Sequence, residues 1–514
     1  MLRYQLPWLV LVILIPFFWF QKINKKLSSF LFWGYLSGIL FVYFEYNFLI
    51  NISYSIFLWS IIFYGFLFFT PIFLLFYIIK KYAIKYDYFF SILTIPIGFW
   101  LYNFGFTHYP LFSPLDGLSN YPVFLQVCDL GGIYFSIFLL SIINFLIFNI
   151  FYSFFKNKSI KKINYKKILL LVLIIISIYG YGIYKQNLFR VKIDINKDEQ
   201  VKNILLVQTN ITEQTKDDYK RSVENSMKLE KKLTVLSPLE FVIEGIIGLT
   251  ESSFESEEKI DLVVWPEKSS ATHLFMEDAE NSLIPLEKEW FNRVFHFINE
   301  NNLTILASTH VNSFINPKLS YNAAVMLEPQ KNNNINQFYY KNKLFIFGEY
   351  FPEISFLNEY RKKFGFNNLL SGEKINTFKL GDIIFGVNIC FENGFSEIAR
   401  IQKKQGATFI INVSNDDLFK SIKELRYQES NSIIRAIENK VYYLRATNIG
   451  LTEVINPIGE IEDKITPYTE GFLLAKINSN NFESFYSNFG YLSIYILVFI
   501  YIFLWITLFV RRDD

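Results

Sequence analysis

The chain has 514 residues, 52% of them hydrophobic and 19% aromatic, which is more than a soluble protein of this length usually carries. Its net charge of +3 is small and dispersed, so it offers no basic face for nucleic acid, and no phosphate loop or zinc-ligand spacing is present. Two cysteines, Cys128 and Cys390, lie far apart and give no disulfide framework.

In chain order, residues 1–186 read as a transmembrane helical bundle, 187–488 as a globular domain, and 489–514 as a transmembrane anchor with a short tail. Crossing a hydrocarbon core takes about 20 helical residues, because only closed backbone hydrogen bonding survives in lipid. That rule predicts about six spans in the bundle, at 5–20, 28–45, 54–79, 88–105, 131–155 and 168–184, and a seventh at 489–510. The first is short, but no small-residue cleavage site follows Phe20, so it reads as a span rather than a signal peptide.

Charges in the connecting loops alternate. Lys22, Lys25 and Lys26 lie in the first loop, Lys80, Lys81 and Lys85 in the third, and Lys156, Lys158, Lys161, Lys162, Lys166 and Lys167 in the fifth; loops two and four hold no Lys or Arg. The positive-inside rule then places the odd loops and the tail Arg511-Arg512 in the cytoplasm, and the N-terminus and large domain outside it. The fourth loop, Thr107 to Leu130, with His108, Pro110, Pro114, Asp116, Gly117 and Pro122, fits either a cap beside an active site or a plain connection. Cys128 and Asp129 sit at a span boundary, where an interfacial carboxylate at a helix start is a commoner role than a functional one.

Strand-like runs then recur at Ile204–Gln208, Asp261–Trp265, Leu303–Ser308, Asn322–Leu327, Ile383–Ile389, Thr408–Val413, Val441–Ala446 and Thr452–Asn456. Helix-length amphipathic stretches at Asp217–Leu233, Leu286–Glu300, Phe395–Gln405 and Ser421–Lys440 alternate with them. This alternation predicts an α/β domain. The Asn-rich tract Lys331–Gln337 reads as a hairpin tip, and the apolar insert Phe241–Leu249 as either core or a membrane-touching element.

Three strand ends carry chemistry. Glu267 follows Trp265-Pro266, Lys341 follows Tyr339-Tyr340 just ahead of Phe347-Gly348-Glu349, and Cys390 ends the run Ile383–Ile389 before Phe391-Glu392. A thiol becomes a strong nucleophile only on losing its proton, for which Glu267 is a candidate general base and the helix from Phe395 a candidate source of favourable dipole. Lys341 would stabilise an oxyanion, a kind of help commonly worth about 3 kcal/mol, with Glu349 holding the ammonium. Taken singly, a cysteine at a strand end is more often a small core residue, a glutamate after Trp-Pro a loop carboxylate, and a lysine beside tyrosine solvated. Their joint occurrence in the order Glu, Lys, Cys makes the site.

With Trp265-Pro266-Glu267, Tyr339-Tyr340-Lys341 and Ile389-Cys390-Phe391-Glu392, the sequence resembles the nitrilase, or carbon-nitrogen hydrolase, superfamily. The Phe347-Gly348-Glu349 and Pro352 extension, behind a membrane bundle, resembles the apolipoprotein N-acyltransferase family. Val207-Gln208-Thr209-Asn210-Ile211, Tyr321-Asn322-Ala323, Ser414-Asn415-Asp416 and Arg445-Ala446-Thr447-Asn448-Ile449-Gly450 match in the same order. The resemblance implies a nitrilase-like α-β-β-α sandwich, multi-pass in a bacterial cytoplasmic membrane. It also implies acyl transfer through a thioester on Cys390, from a membrane phospholipid donor to the N-terminal amine of a diacylated apolipoprotein acceptor. Glu267, Lys341 and Cys390 would be catalytic and Glu349, Phe391 and Glu392 supporting; no cofactor, metal or nucleic acid is implied.

Aromatic and apolar residues after the lysine, Phe345, Phe347, Tyr350, Phe351, Phe356 and Leu357, fit lids dipping into the interface and fit core packing equally. The family usually has eight spans, a Trp-Phe pair where Leu418-Phe419-Lys420 stands, and a tryptophan near Lys216–Tyr219. These departures bear on lipid preference rather than on the proposed catalytic groups. A membrane-anchored amidase or nitrilase and a non-catalytic membrane scaffold remain as alternatives; six spans before the domain favour transfer, since a hydrolase needs one anchor.

Overall fold

A computed structural model describes residues 7–51, 53–83, 86–104, 112–157, 164–195, 201–212, 215, 238–256, 258–269, 273–274, 285–313, 319–329, 335–351, 368–419, 421–478 and 481–510. The predicted helix Asp217–Leu233, the residues Phe356 and Leu357, His108 and Pro110, and the tail Arg511-Arg512 lie outside the described residues. The chain divides into two compact units. One comprises Met1–Arg190, Ile422–Lys440 and Glu483–Asp514, the other Val191–Ser421 and Val441–Phe482.

The first unit is helical. Described helices fall on each expected span, and five stretches are long and apolar enough to cross a membrane: Leu27–Glu45, Tyr54–Tyr82, Cys128–Lys156, Tyr165–Ile193 and Leu492–Val510. The stretch Pro7–Ile23 is shorter, as its sequence suggested. The helix Asp87–Phe104 falls outside the set because Asp87, Pro96 and Asn103 dilute its apolar run. Bulky apolar side chains such as Phe499, Phe503 and Ile506 point outward, the pattern of a helix solvated by lipid.

Within this unit Asp129 lies in the first turn of the helix Cys128–Asn157, the helix start expected of it. It is buried, accepts a hydrogen bond from the Tyr181 hydroxyl at 2.5 Å, and lies 3.0 Å from Lys185 Nζ and 3.5 Å from Lys440 Nζ. A carboxylate in an apolar bundle persists only when paired in this way. At the kink in the helix Cys128–Asn157, Gly132 adopts φ +74°, and a Cβ there would come within 2.6 Å of the Tyr486 ring. The kink frees the Ile133 N–H, which donates to Glu438 at 2.8 Å. The amphipathic stretch Ser421–Lys440 forms the expected helix, Ile422–Asn439, but groups with this unit rather than with the sheets that flank it in sequence. Its buried polar side chains explain this: Ser430 donates to Asp116, Tyr427 to Glu45, and Lys440 to Gln126.

The second unit is built on two sheets of strands β1 (Val201–Gln208), β2 (Leu262–Val264), β3 (His273–Leu274), β4 (Ile305–Asn312), β5 (Ser320–Leu327), β6 (Phe338–Tyr340), β7 (Thr377–Leu380), β8 (Ile383–Ile389), β9 (Phe409–Ser414), β10 (Tyr442–Thr447), β11 (Glu453–Ile455), β12 (Ile461–Lys464) and β13 (Gly471–Asn478). One sheet runs β13-β1-β2-β4-β5-β6 with β3 also on β4, the other β12-β11-β10-β9-β8-β7. Beyond the strands read from the sequence, where β6 showed only as the strand end before Lys341, β3, β7, β12 and β13 are additions. β3, β6, β7 and β12 are too short to show a period, and β13 is an edge strand paired only with β1.

Period two sorts the side chains of each strand between two cores. Ile204 and Leu206 of β1 face Phe385, Val387 and Ile389 of β8 and Ile411 and Val413 of β9 across the sandwich. Leu205 and Val207 pack on the other side with Ile243, Ile246 and Ile247 of the helix Pro238–Ser252 and Phe291, Val294 and Ile298 of the helix Pro285–Asn301. The insert Phe241–Leu249 is thus core on its buried face. On the outer face of the second sheet the helix Ser396–Lys404 lies against β8, its Gln402 donating to the Val387 carbonyl at 2.6 Å. This is the expected α-β-β-α sandwich.

Candidate active site

The parallel strands β1, β2 and β4 of one sheet and β8, β9 and β10 of the other present their carboxyl ends as loops, where α/β sheets place ligands. β2 delivers Glu267, β8 delivers Cys390, and β9 delivers Asn415 and Asp416. Trp265 anchors the first of these loops, fully buried, with its indole N–H on Thr250 at 3.2 Å.

Glu267 is buried and aimed by two donors, Asn322 Nδ2 at 2.7 Å on Oε1 and the Asn415 backbone N–H at 2.8 Å on Oε2. Lys341, 1% exposed, extends its ammonium 3.6 Å from Glu267 and 2.8 Å from Glu349. Glu349 also accepts from Asn322 at 2.8 Å and from the Phe345 N–H at 2.8 Å. Burial alone would neutralise these groups. The carboxylates of Glu349 and Glu267 outweigh desolvation at Lys341 and raise its pKa, while the ammonium holds Glu349 below the ordinary carboxylate value. The Phe391 ring, itself fully buried, lies 5.2 Å from the ammonium and makes an edge contact with Phe345.

Cys390 opens a tight turn, Cys390–Gly394, with φ at +55°, a left-handed conformation that non-glycine residues rarely adopt. Its thiol is half-buried, touches the Ser414 hydroxyl, and senses both Glu267 and Lys341. Desolvation and the Glu267 carboxylate push the thiol up, against the pull of Lys341. The helix expected to lower it starts at Ser396, beyond the tight turn. A thiol pushed up in this way needs a neighbouring base to take its proton, and Glu267 is placed for that role.

Glu392 ties the lysine and cysteine loops together. It accepts from the Tyr339 hydroxyl at 2.9 Å, from the N–H groups of Asn342 and Lys343 at 2.7 and 2.9 Å, and from the Ile389 N–H at 2.8 Å. Complete burial raises its pKa to about 7, against these hydrogen bonds and the Lys341 charge. Phe345, Phe347 and Phe351 are buried here, which makes them core rather than lids.

The structure thus brings Glu267, Lys341, Glu349, Cys390, Phe391 and Glu392 into one cluster. Sequence reading gave no role to Asn322, which links both carboxylates, or to Ser414 and Asn415, which touch the thiol and Glu267. Asn322 had a signal: a polar residue opening the apolar run Ala323-Ala324-Val325. Among the described residues no group of three or more His, Cys, Asp or Glu is arranged to hold a metal ion.

Residues 206–486, more than half of the chain, match the family profile described as carbon-nitrogen hydrolase. The chain belongs to the carbon-nitrogen hydrolase family. Apolipoprotein N-acyltransferase 1 of Treponema denticola is 26% identical over 531 residues, covering 99% of this chain and 93% of that protein. Apolipoprotein N-acyltransferase of Borreliella burgdorferi is 27% identical over 413 residues, covering 79% and 73%. Among solved structures, the carbon-nitrogen hydrolase fold also aligns with Saccharomyces cerevisiae Nit3, a member of branch 10 of the nitrilase superfamily. That alignment has a TM-score of 0.39 at 17% identity and covers 54% of this chain and 90% of Nit3.

Proposed function

We propose that this protein is an apolipoprotein N-acyltransferase of a bacterial cytoplasmic membrane, with its catalytic unit on the extracytoplasmic side. The observation that carries the reading is a buried carboxylate and ammonium beside a half-buried thiol in a carbon-nitrogen hydrolase unit, on a chain with five stretches among the described residues long and apolar enough to cross a membrane. The apolipoprotein N-acyltransferase 1 of Treponema denticola, similar along 99% of this chain, supports the same activity. Alternation of lysine-rich and lysine-free loops supports the sidedness.

In the first step Glu267 takes the Cys390 proton as sulfur attacks an ester carbonyl of a phospholipid. The tetrahedral oxyanion rests against the Lys341 ammonium. Collapse breaks the ester C–O bond, the proton on Glu267 passes to the departing glyceryl oxygen, and lysophospholipid leaves a thioester on Cys390. In the second step the amine of a diacylglyceryl-cysteine attacks the thioester, its proton goes to Glu267, the C–N bond forms, the C–S bond breaks, and Glu267 returns the proton to the departing Cys390 sulfur. Glu349, held by Lys341 and Asn322, keeps the ammonium in place throughout.

Purified full-length protein incubated with phospholipid alone tests this reading: intact mass is expected to show one acyl adduct, located on Cys390 and absent from Cys390→Ala. A diacylated lipopeptide then removes the adduct as an amide. Release of free fatty acid with no amide would establish a hydrolase instead, and no adduct under any donor would leave a scaffold.

A further inference from the structure

A fully buried row of polar side chains crosses the second sheet in register. Asn388 on β8 stands opposite Asn412 on β9, Asn412 opposite Arg445 on β10, and Arg445 opposite Glu453 on β11. All four are 0% exposed, and they alternate with the apolar residues Val387, Ile411, Leu444 and Val454 that fill the sandwich core. Burying an arginine and a carboxylate is costly, and apolar residues of the same volume would often be as stable, so stability gives no reason for this row.

Direction gives a reason. Arginine only donates hydrogen bonds, so with its Nε 3.3 Å from Asn412 Oδ1 it turns the amide so that Nδ2 points away. That Nδ2 donates to the Cys390 carbonyl at 2.9 Å and to Asn388 Oδ1 at 2.7 Å. Asn388 is locked in turn by the Tyr443 hydroxyl, which donates to its Oδ1 at 3.0 Å. On another branch Arg445 Nη2 lies 3.3 Å from Asp416 Oδ2, and Asp416 Oδ1 accepts at 2.5 Å from Ser414, whose hydroxyl touches the Cys390 thiol. Glu453, 3.5 Å from Nη1, completes the balance of the guanidinium.

We infer that Arg445 is a positioning residue for Cys390: by orienting Asn412 and Asp416 it clamps the carbonyl and the thiol of a cysteine held in a left-handed turn. Such a backbone conformation is strained and persists only where the surroundings over-determine it. The inference rests on the acyl-transfer reading for its kinetic consequences, though the clamp itself is geometric.

Two variants of the full-length protein test it. Arg445→Met frees the Asn412 amide to turn. Asn412→Asp keeps an acceptor for Arg445 and removes the donor to the Cys390 carbonyl. In both, the rate of acyl-adduct formation on Cys390, and the plateau rate of Cys390 alkylation by iodoacetamide followed by peptide mass, are expected to fall about 10- to 100-fold, as small misplacements of a reacting group do. The plateau is read above the alkylation midpoint of each variant, because both substitutions add one unit of negative charge near the thiol and raise that midpoint, whereas general loosening of the fold would expose the thiol and raise the plateau. If Arg445→Met fails to fold, Asn412→Asp alone decides. Alkylation of both folded variants at the wild-type rate overturns the inference. Should the wild-type protein take no acyl group from phospholipid, the transfer reading falls, and alkylation still decides whether the clamp acts.

Discussion

Lys341 lies 2.8 Å from Glu349 and 3.6 Å from Glu267, so one buried ammonium serves two carboxylates. Removing one partner of a buried ion pair leaves an uncompensated charge, at a cost of about 3–5 kcal/mol. Lys341→Met is therefore expected to lower thermal stability and abolish acylation together. Adding Glu349→Gln restores much of the stability and none of the activity, because the oxyanion partner is still missing. Melting curves and adduct formation on the single and double variants check the separation; recovery of both properties would remove Lys341 from the chemistry.

Glu267→Gln keeps the shape of the side chain and an acceptor for one of its two donors, the Asn322 amide or the Asn415 N–H, and loses the ability to take a proton. Acylation at neutral pH is expected to fall by about 10²–10⁴, the usual worth of a positioned base. Because the thiol pKa is raised, the residual rate climbs with pH into the alkaline range as sulfur ionises unaided. Rapid-quench mass measurements across pH follow this, and an unchanged rate near pH 7 would assign the base elsewhere.

Glu392 has its pKa raised from 4.5 to about 7 in the folded protein, so the folded form binds its proton more tightly than the unfolded chain does. Between those values the folded state holds more protons, and stability falls as pH rises, levelling above about 7. Glu392→Gln removes this slope, which is on the order of 3 kcal/mol across the window. Comparing the pH dependence of the thermal midpoint in the two proteins isolates the contribution; parallel curves would count against it.

Gly450 is the one residue able to pass Asp416, since a Cβ there would come within 1.9 Å of Asp416 Oδ2. Gly450→Ala displaces a carboxylate already held by Ser414 and Arg445. Overpacking of this kind costs about 1–3 kcal/mol. Acylation is expected to drop with it, measurable as fewer adducts per folded molecule, whereas an alanine variant with normal adduct yield and melting point would show that the loop yields freely.

Composition and local order determined a good deal alone. Apolar runs placed the helices because a lipid span needs length and hydropathy, both of which are local. Glu267, Lys341 and Cys390 stood out because each ends a strand-like run beside distinctive neighbours. Tertiary structure decided what depends on pairing between distant segments. Asn322 gained its role by standing within reach of Glu267 and Glu349, residues 55 and 27 positions away. The row from Asn388 to Glu453 exists only once four strands are in register, since a shift of one residue would send each side chain to the opposite face. Asp129 and the helix Ile422–Asn439 went where buried partners awaited them, because an unpaired charge or polar group in an apolar interior costs more than local preference supplies.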